Sequence, residues 1–121
     1  MRHFTYAEFD QKGAPGTGEL YMDRRFLSYL DALRHKCKFP FVISSGYRSP
    51  EYNNEVSGTG FDGPHTTGKA ADILVSRQNA DKLLEMVYDM GCFTGKGINQ
   101  KGEHRFIHLD IIDGPNRIWS Y

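Results

Sequence analysis

Two short apolar segments each carry an ionisable residue near their centre. Asp72 stands inside Ala70-Ala71-Asp72-Ile73-Leu74-Val75, and His108 inside Phe106-Ile107-His108-Leu109-Asp110-Ile111. Apolar, β-branched runs of this length read as buried strands. A charge withdrawn from water must be paired or bound to a metal, so the fold has to bring each of these groups a partner. If the two strands are neighbours, Asp72 and His108 face each other. His65, seven positions before Asp72 in a glycine-rich stretch, is placed to reach in from a loop. Two imidazoles and one carboxylate with an open fourth position form the donor set of a catalytic zinc site, not of a structural one. The spacing leaves a second reading open, in which Asp72 and His108 are a hydrogen-bonded core pair and His65 is simply exposed.

The rest of the 121-residue chain reads as one domain over 1–121. Phe4 to Gly18 mixes aromatics with Gly13, Pro15, Gly16 and Gly18 and reads as an irregular arm. Met22, Phe26, Leu30 and Leu33 recur on one face of a 3.6-residue repeat, which predicts a helix over Glu19 to Cys37, stopped by Pro40. Phe41 to Ser45 is expected to be a buried strand closed by Gly46. Ser49-Pro50 is a helix start and predicts a short helix to Val56. Ser57 to Gly68 carries four glycines and a proline and is expected to be a long loop, either disordered or functional. A strand over Ala70 to Val75, a helix from Ser76 to about Met90 stopped by Gly91, and strands at Phe93–Ile98, Arg105–Ile112 and Arg117–Tyr121 complete the reading. The order argues for an α+β fold with helices packed on a small, mainly antiparallel sheet.

Fifteen Lys plus Arg balance fifteen Asp plus Glu. Such a chain lacks the positive field that drives nucleic-acid binding, so no nucleic-acid partner is expected. The apolar runs fall short of the ~20 residues that cross a bilayer, and no membrane insertion is expected. No signal peptide is visible at Met1-Arg2-His3-Phe4. Cys37 and Cys92 make neither a disulfide framework nor an all-cysteine zinc site and are expected to be buried small hydrophobes. His3 and His35 read as surface residues, and Tyr47 as packing. Gly95-Lys96-Gly97 lacks the spacing of a phosphate loop.

The chain also resembles a known family. His65-Thr66-Thr67-Gly68-Lys69-Ala70-Ala71-Asp72 fits the His-x-x-Gly-x-Ala-x-Asp signature of the zinc D-alanyl-D-alanine carboxypeptidase superfamily. Those are peptidoglycan peptidases that share a fold with the hedgehog signalling domain. Ser45-Gly46-Tyr47-Arg48-Ser49, followed by Asn53-Asn54, looks like the family's Ser-Gly-Tyr-Arg-[Ser/Thr] segment. Phe106-Ile107-His108-Leu109-Asp110 is similar to the ending of a small branch common in bacteriophages and prophages. The arm Phe4 to Asp10 and the terminal Trp119-Ser120-Tyr121 look like that branch too.

The resemblance implies zinc held by His65, Asp72 and His108, and a role for Arg48 in stabilising the substrate carbonyl or carboxylate. A guanidinium offers the planar fork of donors that such a group requires. A zinc ion there activates a water and polarises the scissile amide carbonyl. The sequence departs from the family at the proton acceptor, because Arg105 stands where many members carry an acid three residues before the last His. Asp110, on the same strand face as His108, is the substitute, either as the base or as the group that orients His108 or Arg48. Glu103 and His104 are further candidates. A second departure is Gly63-Pro64, where relatives often have a Ser two residues ahead of the His.

The implied activity is zinc-dependent hydrolysis of an amide bond in peptidoglycan stem peptides, by a carboxypeptidase, an endopeptidase or a phage lysin. The protein is expected to be a monomer, made in the cytoplasm and acting on the cell wall after release or export. The rival reading is a zinc-containing binding module of the same fold.

Overall fold

The computed structural model describes all of Met1–Tyr121. Helices α1 (Thr17–Tyr21), α2 (Arg24–Cys37), α3 (Pro50–Val56) and α4 (Arg77–Met90) accompany strands β1 (Val42–Ser45), β2 (Ala70–Leu74), β3 (Gly95–Asn99), β4 (Phe106–Asp110) and β5 (Arg117–Ser120). The strands form one sheet in the order β1-β2-β4-β3-β5. All pairs are antiparallel except β3–β5, which is parallel. The fold is thus α+β, as the order of sequence signals requires.

Strand alternation divides the sheet's two faces. Ala71, Ile73, Ile107, Leu109 and Ile111 belong to a continuous core with Phe26, Leu27, Leu30 and Leu33 of α2 and Leu83 and Val87 of α4. Phe9 and Phe26 are completely buried, each worth about 1.5–3 kcal/mol in apolar transfer. The intervening residues Asp72, His108 and Asp110 necessarily point to the other face, which holds the site.

The helix expected from Glu19 is in fact two. Met22 takes an extended backbone at ψ 135°, and Asp23 then starts α2 by accepting a hydrogen bond from the Phe26 N–H at 2.9 Å. The break sends Met22 into the core and leaves the Asp23 N–H free to bond the Gly68 carbonyl, 2.9 Å away. The end of α2 is set by Lys38 in the left-handed region (φ 61°), ahead of Pro40. The arm holds a 3-10 turn at Tyr6–Phe9, and Phe4 and Phe9 join the core. The loop before β2 is likewise built from two 3-10 turns, Gly60–Asp62 and Pro64–Thr67. β3 starts at Gly95 and β4 ends at Asp110, both shorter than expected.

Cys37 is buried, whereas Cys92 is only partly so, which corrects the expectation for the second thiol. Burial pushes the Cys37 thiol up to about 11 and raises Cys92 as well. With that value about one Cys37 in a thousand is thiolate at pH 8, and the thiolate is the nucleophile. Iodoacetamide at pH 8 is therefore expected to leave Cys37 unmodified in the folded protein and to label it within minutes in denaturant, as mass spectrometry would read directly.

Candidate metal centre and its cavity

Asp72 and His108 are direct cross-strand partners in the β2–β4 ladder. Asp72 Oδ1 lies 3.0 Å from His108 Nδ1 and 3.3 Å from His65 Nε2. His65 comes from the 3-10 turn that precedes β2, and Gly68 (φ 74°) makes the left-handed turn between them. All three side chains are buried, and their ligand atoms lie within 4.8 Å of one another. The structure thus brings together the three residues that the sequence singles out.

Each imidazole is oriented by a bond on its other nitrogen. His65 Nδ1 donates to the Gly46 carbonyl at 2.8 Å, which leaves Nε2 with a lone pair toward Asp72. His108 Nε2 donates to Asp110 Oδ2 at 2.8 Å, which leaves Nδ1 toward Asp72. Metal-ligating histidines are characteristically held in this manner, by a carbonyl or carboxylate on the far nitrogen. The donor set fits a divalent ion. For bonds of ~2.0–2.1 Å in a tetrahedron, neighbouring ligand atoms lie ~3.3 Å apart, close to the two separations seen here.

The electrostatics follow from the same contacts. Burial alone would push the Asp72 carboxyl up, but the His108 and His65 imidazoles overcome it and hold the group well below the usual carboxylate range. Burial pulls His108 down, and Asp110 and Asp72 on its two sides more than reverse this, so its value is raised. Asp110 is lowered: burial raises it, and His108, the Ile112 N–H and the Arg117 guanidinium outweigh that.

Asp110 is completely buried, with both oxygens engaged. Oδ2 receives His108, while Oδ1 receives the Ile112 N–H at 3.2 Å, the Thr94 hydroxyl at 3.4 Å and the Arg117 guanidinium. It meets the His108 ring at the nitrogen that does not face Asp72. Arg105 turns its guanidinium to the Gly102 carbonyl at 2.9 Å. Glu103 and His104 line a separate depression beside Arg105 and do not reach the His65 cavity. They precede β4, in the turn that joins it to β3 beside the Asn99–Phe106 pair.

The three donors open into a cavity of about 590 Å³ whose wall includes Arg48, Thr59, Phe106, Arg117, Trp119 and Tyr121. Asp72 is the only acid that lines it. Arg48 is steadied twice, by its N–H on the His65 carbonyl at 3.2 Å and by Nη1 on Asn53 Oδ1 at 3.2 Å. Asn53 is completely buried on α3, and its amide also bonds the Thr59 hydroxyl at 2.8 Å, so one side chain ties Arg48 to the cavity loop. The family-like Asn53-Asn54 pair close behind Arg48 is the only sequence signal for this role, and it does not say which partners Asn53 takes. Gly63 is needed in the same place, since a Cβ there would lie 2.1 Å from Thr59 Oγ1 and 2.6 Å from Asn53 Nδ2.

Two imidazoles and a carboxylate set together on the wall of an open cavity form a candidate metal centre. The chain belongs to the peptidase M15 family, whose model matches residues 2–110. That makes it a member of a metallopeptidase family, with His65, Asp72 and His108 as the candidate ligands. No curated protein matches the chain. No helix is long and apolar enough to cross a membrane.

Proposed function

We propose that residues 1–121 act as one zinc peptidase domain that hydrolyses an amide bond in bacterial peptidoglycan stem peptides. The observation that carries this reading is the His65–Asp72–His108 donor set at the wall of an open cavity, in a chain of the M15 family. Bound there, zinc supplies an activated water and polarises the scissile carbonyl. The chain's own residues do the rest. Arg48, steadied by Asn53, takes the substrate carbonyl or terminal carboxylate. Asp110 keeps His108 Nε2 protonated and its Nδ1 turned to the site, and its engaged oxygens assign it to orienting His108 in preference to taking a proton from the attacking water. The setting we propose is a monomer working at the cell wall after release or export, as a phage or prophage lysin or a wall-remodelling enzyme.

Digestion of purified murein, read by mass spectrometry of the released muropeptides, tests this and identifies the bond: the terminal D-Ala, the cross-link or the L-Ala–D-Glu junction. New termini that vanish with chelator and return with zinc are expected. Arg48→Ala is expected to lower kcat/KM by about 10²-fold, the typical loss of one oxyanion donor, with zinc content unchanged. Arg48→Lys keeps the charge but loses the fork and should recover little.

One observation favours a second reading, a zinc-containing binding module with weak or no turnover. No acid other than Asp72 lines the cavity, and Arg105 replaces the usual one. A metal-loaded protein that binds murein and releases no new termini would decide for it.

A further inference from the structure

β5 lies outside the family-matched residues 2–110, yet it lines the cavity. One row of cross-strand partners runs through the site from edge to edge: Ser45, Asp72, His108, Gly97, Trp119. Gly97 leaves a gap in that row, and the Trp119 indole fills it. A Cβ at Gly97 would lie 2.6 Å from the indole ring. Trp119 thereby reaches across β3 to the His108 imidazole, with ring centroids 5.2 Å apart. Gly95 does the same for Asp110, whose carboxylate would lie 2.1 Å from a Cβ there. The Gly95-Lys96-Gly97 segment, which has no phosphate-loop spacing, is thus the cleared floor of the site. Lys96 turns to the opposite face, its amine 5.3 Å from the Tyr88 ring centroid.

β5 and the Tyr121 that follows it therefore present Arg117, Trp119 and Tyr121 to the cavity in alternation, with Ile118 and Ser120 exposed on the other side. Arg117 is committed to Asp110 and lies over the indole at 5.5 Å. The Trp119 indole N–H is paired with the Tyr121 hydroxyl, so the two rings hold each other at the cavity. With Phe106, whose ring is 4.9 Å from that of Tyr121, they form an apolar wall whose polar tip is the Tyr121 hydroxyl. Arg48 enters the same cavity from the side of β1, the opposite edge strand.

We infer that β5 is the second wall of the substrate cleft, and that Trp119 and Tyr121 grip the chain of a short peptide whose carboxylate or carbonyl is held across the cavity by Arg48. An aromatic face packs on peptide planes and small aliphatic side chains, while the phenol hydroxyl, accepting from the indole N–H, keeps its own proton to donate to a peptide carbonyl. This makes Trp119 and Tyr121 specificity-determining residues, and it rests on the peptidase reading above.

Trp119 is the only tryptophan, so its emission reports on this wall alone. The zinc-loaded protein is mixed with the stem pentapeptide L-Ala-γ-D-Glu-L-Lys-D-Ala-D-Ala and the emission read before turnover. A saturable change is expected, at concentrations matching KM. Trp119→Leu should raise KM about tenfold with kcat within about twofold, equivalent to ~1.4 kcal/mol of binding, with zinc content retained. Tyr121→Phe should raise KM by a smaller factor and serves where the Trp119 variant fails to fold. Hydrolysis without any emission change, or variants that alter thermal stability but leave KM untouched, overturns the wall and leaves the peptidase reading standing. Saturable emission without product supports the wall and removes the hydrolysis. Neither signal overturns both.

Discussion

Asp72→Ala is expected to lower zinc affinity by more than the roughly 10–100-fold that loss of an outer-shell partner costs, and to take hydrolysis to background. Asp72 Oδ1 is the hub of the site, 3.0 Å from His108 and 3.3 Å from His65. Without it two buried imidazoles face each other, and the set that remains is the His pair alone. Folding should survive better than binding. The His108 imidazole loses one carboxylate but keeps Asp110 at 2.8 Å, and a histidine can shed its proton where an unpaired buried arginine cannot. Equilibrium dialysis against zinc and a thermal melt of the same sample separate the two effects. Unaltered zinc stoichiometry in this variant would remove the metal centre from this site.

The linkage between protons and metal gives the same site a pH signature. In the metal-free protein Asp72 is lowered from 3.8, so its stabilising contribution is present above that value and is lost as pH falls through its low folded value. His108 is raised from 6.5, so its contribution is complete below that value and is lost as pH rises through its folded value. The window shared by both groups lies between about pH 4 and 6.5. Zinc requires neutral imidazoles, so its stabilisation grows over the range in which the proton's is lost. The Tm difference between zinc-loaded and chelator-treated protein should therefore be larger at pH 8 than at pH 5. An equal difference at both values would mean that the ion does not displace a proton from the His108 imidazole.

The donors are legible in the sequence for a physical reason. A carboxylate and an imidazole inside apolar strands have no low-cost solitary state, so their partnership follows from burial alone, and the β2–β4 register sets Asp72 opposite His108. Helix ends written in local chemistry are equally plain. The Ser49 hydroxyl accepts from the Tyr52 N–H at 3.2 Å, and Gly91 ends α4 in the left-handed region. What the sequence hides is long-range. Met22 fits the apolar face of a continuous helix, and only the tie from Asp23 to the Gly68 carbonyl reveals why the helix breaks there. The parallel β3–β5 pair sets Trp119 beside Gly97, and no local pattern fixes such a register across a connection. The buried role of Asn53 is hidden for the same reason: its partners, Arg48 and Thr59, lie on either side of α3.

That hidden tie also identifies the glycine on which the site depends. Gly68 and Gly91 both sit in the left-handed region, at φ 74° and 68°. An L side chain there costs ~1–2 kcal/mol in backbone strain. Gly91 has nothing within 4 Å of where a Cβ would stand, so Gly91→Ala carries that strain alone. At Gly68 the Cβ would lie 2.0 Å from the Tyr21 carbonyl oxygen and 3.2 Å from Met22 Cα. Those are backbone atoms at the junction of α1 and α2, and they cannot rotate aside as a flexible side chain would. Relief requires the chain to separate where Asp23 bonds Gly68, adding ~1–3 kcal/mol of overpacking. Gly68→Ala is thus expected to destabilise by about 2–5 kcal/mol, against about 1–2 for Gly91→Ala. For a domain of this size the Tm falls should be roughly 10 °C or more and about 5 °C. Gly68 also lies between His65 and Asp72, so its variant should lose zinc affinity well below its melting temperature, whereas Gly91→Ala should bind zinc as the parent does. Equal losses of stability in the two variants, with zinc binding intact in both, would show that the contact with Tyr21 constrains neither the fold nor the metal centre.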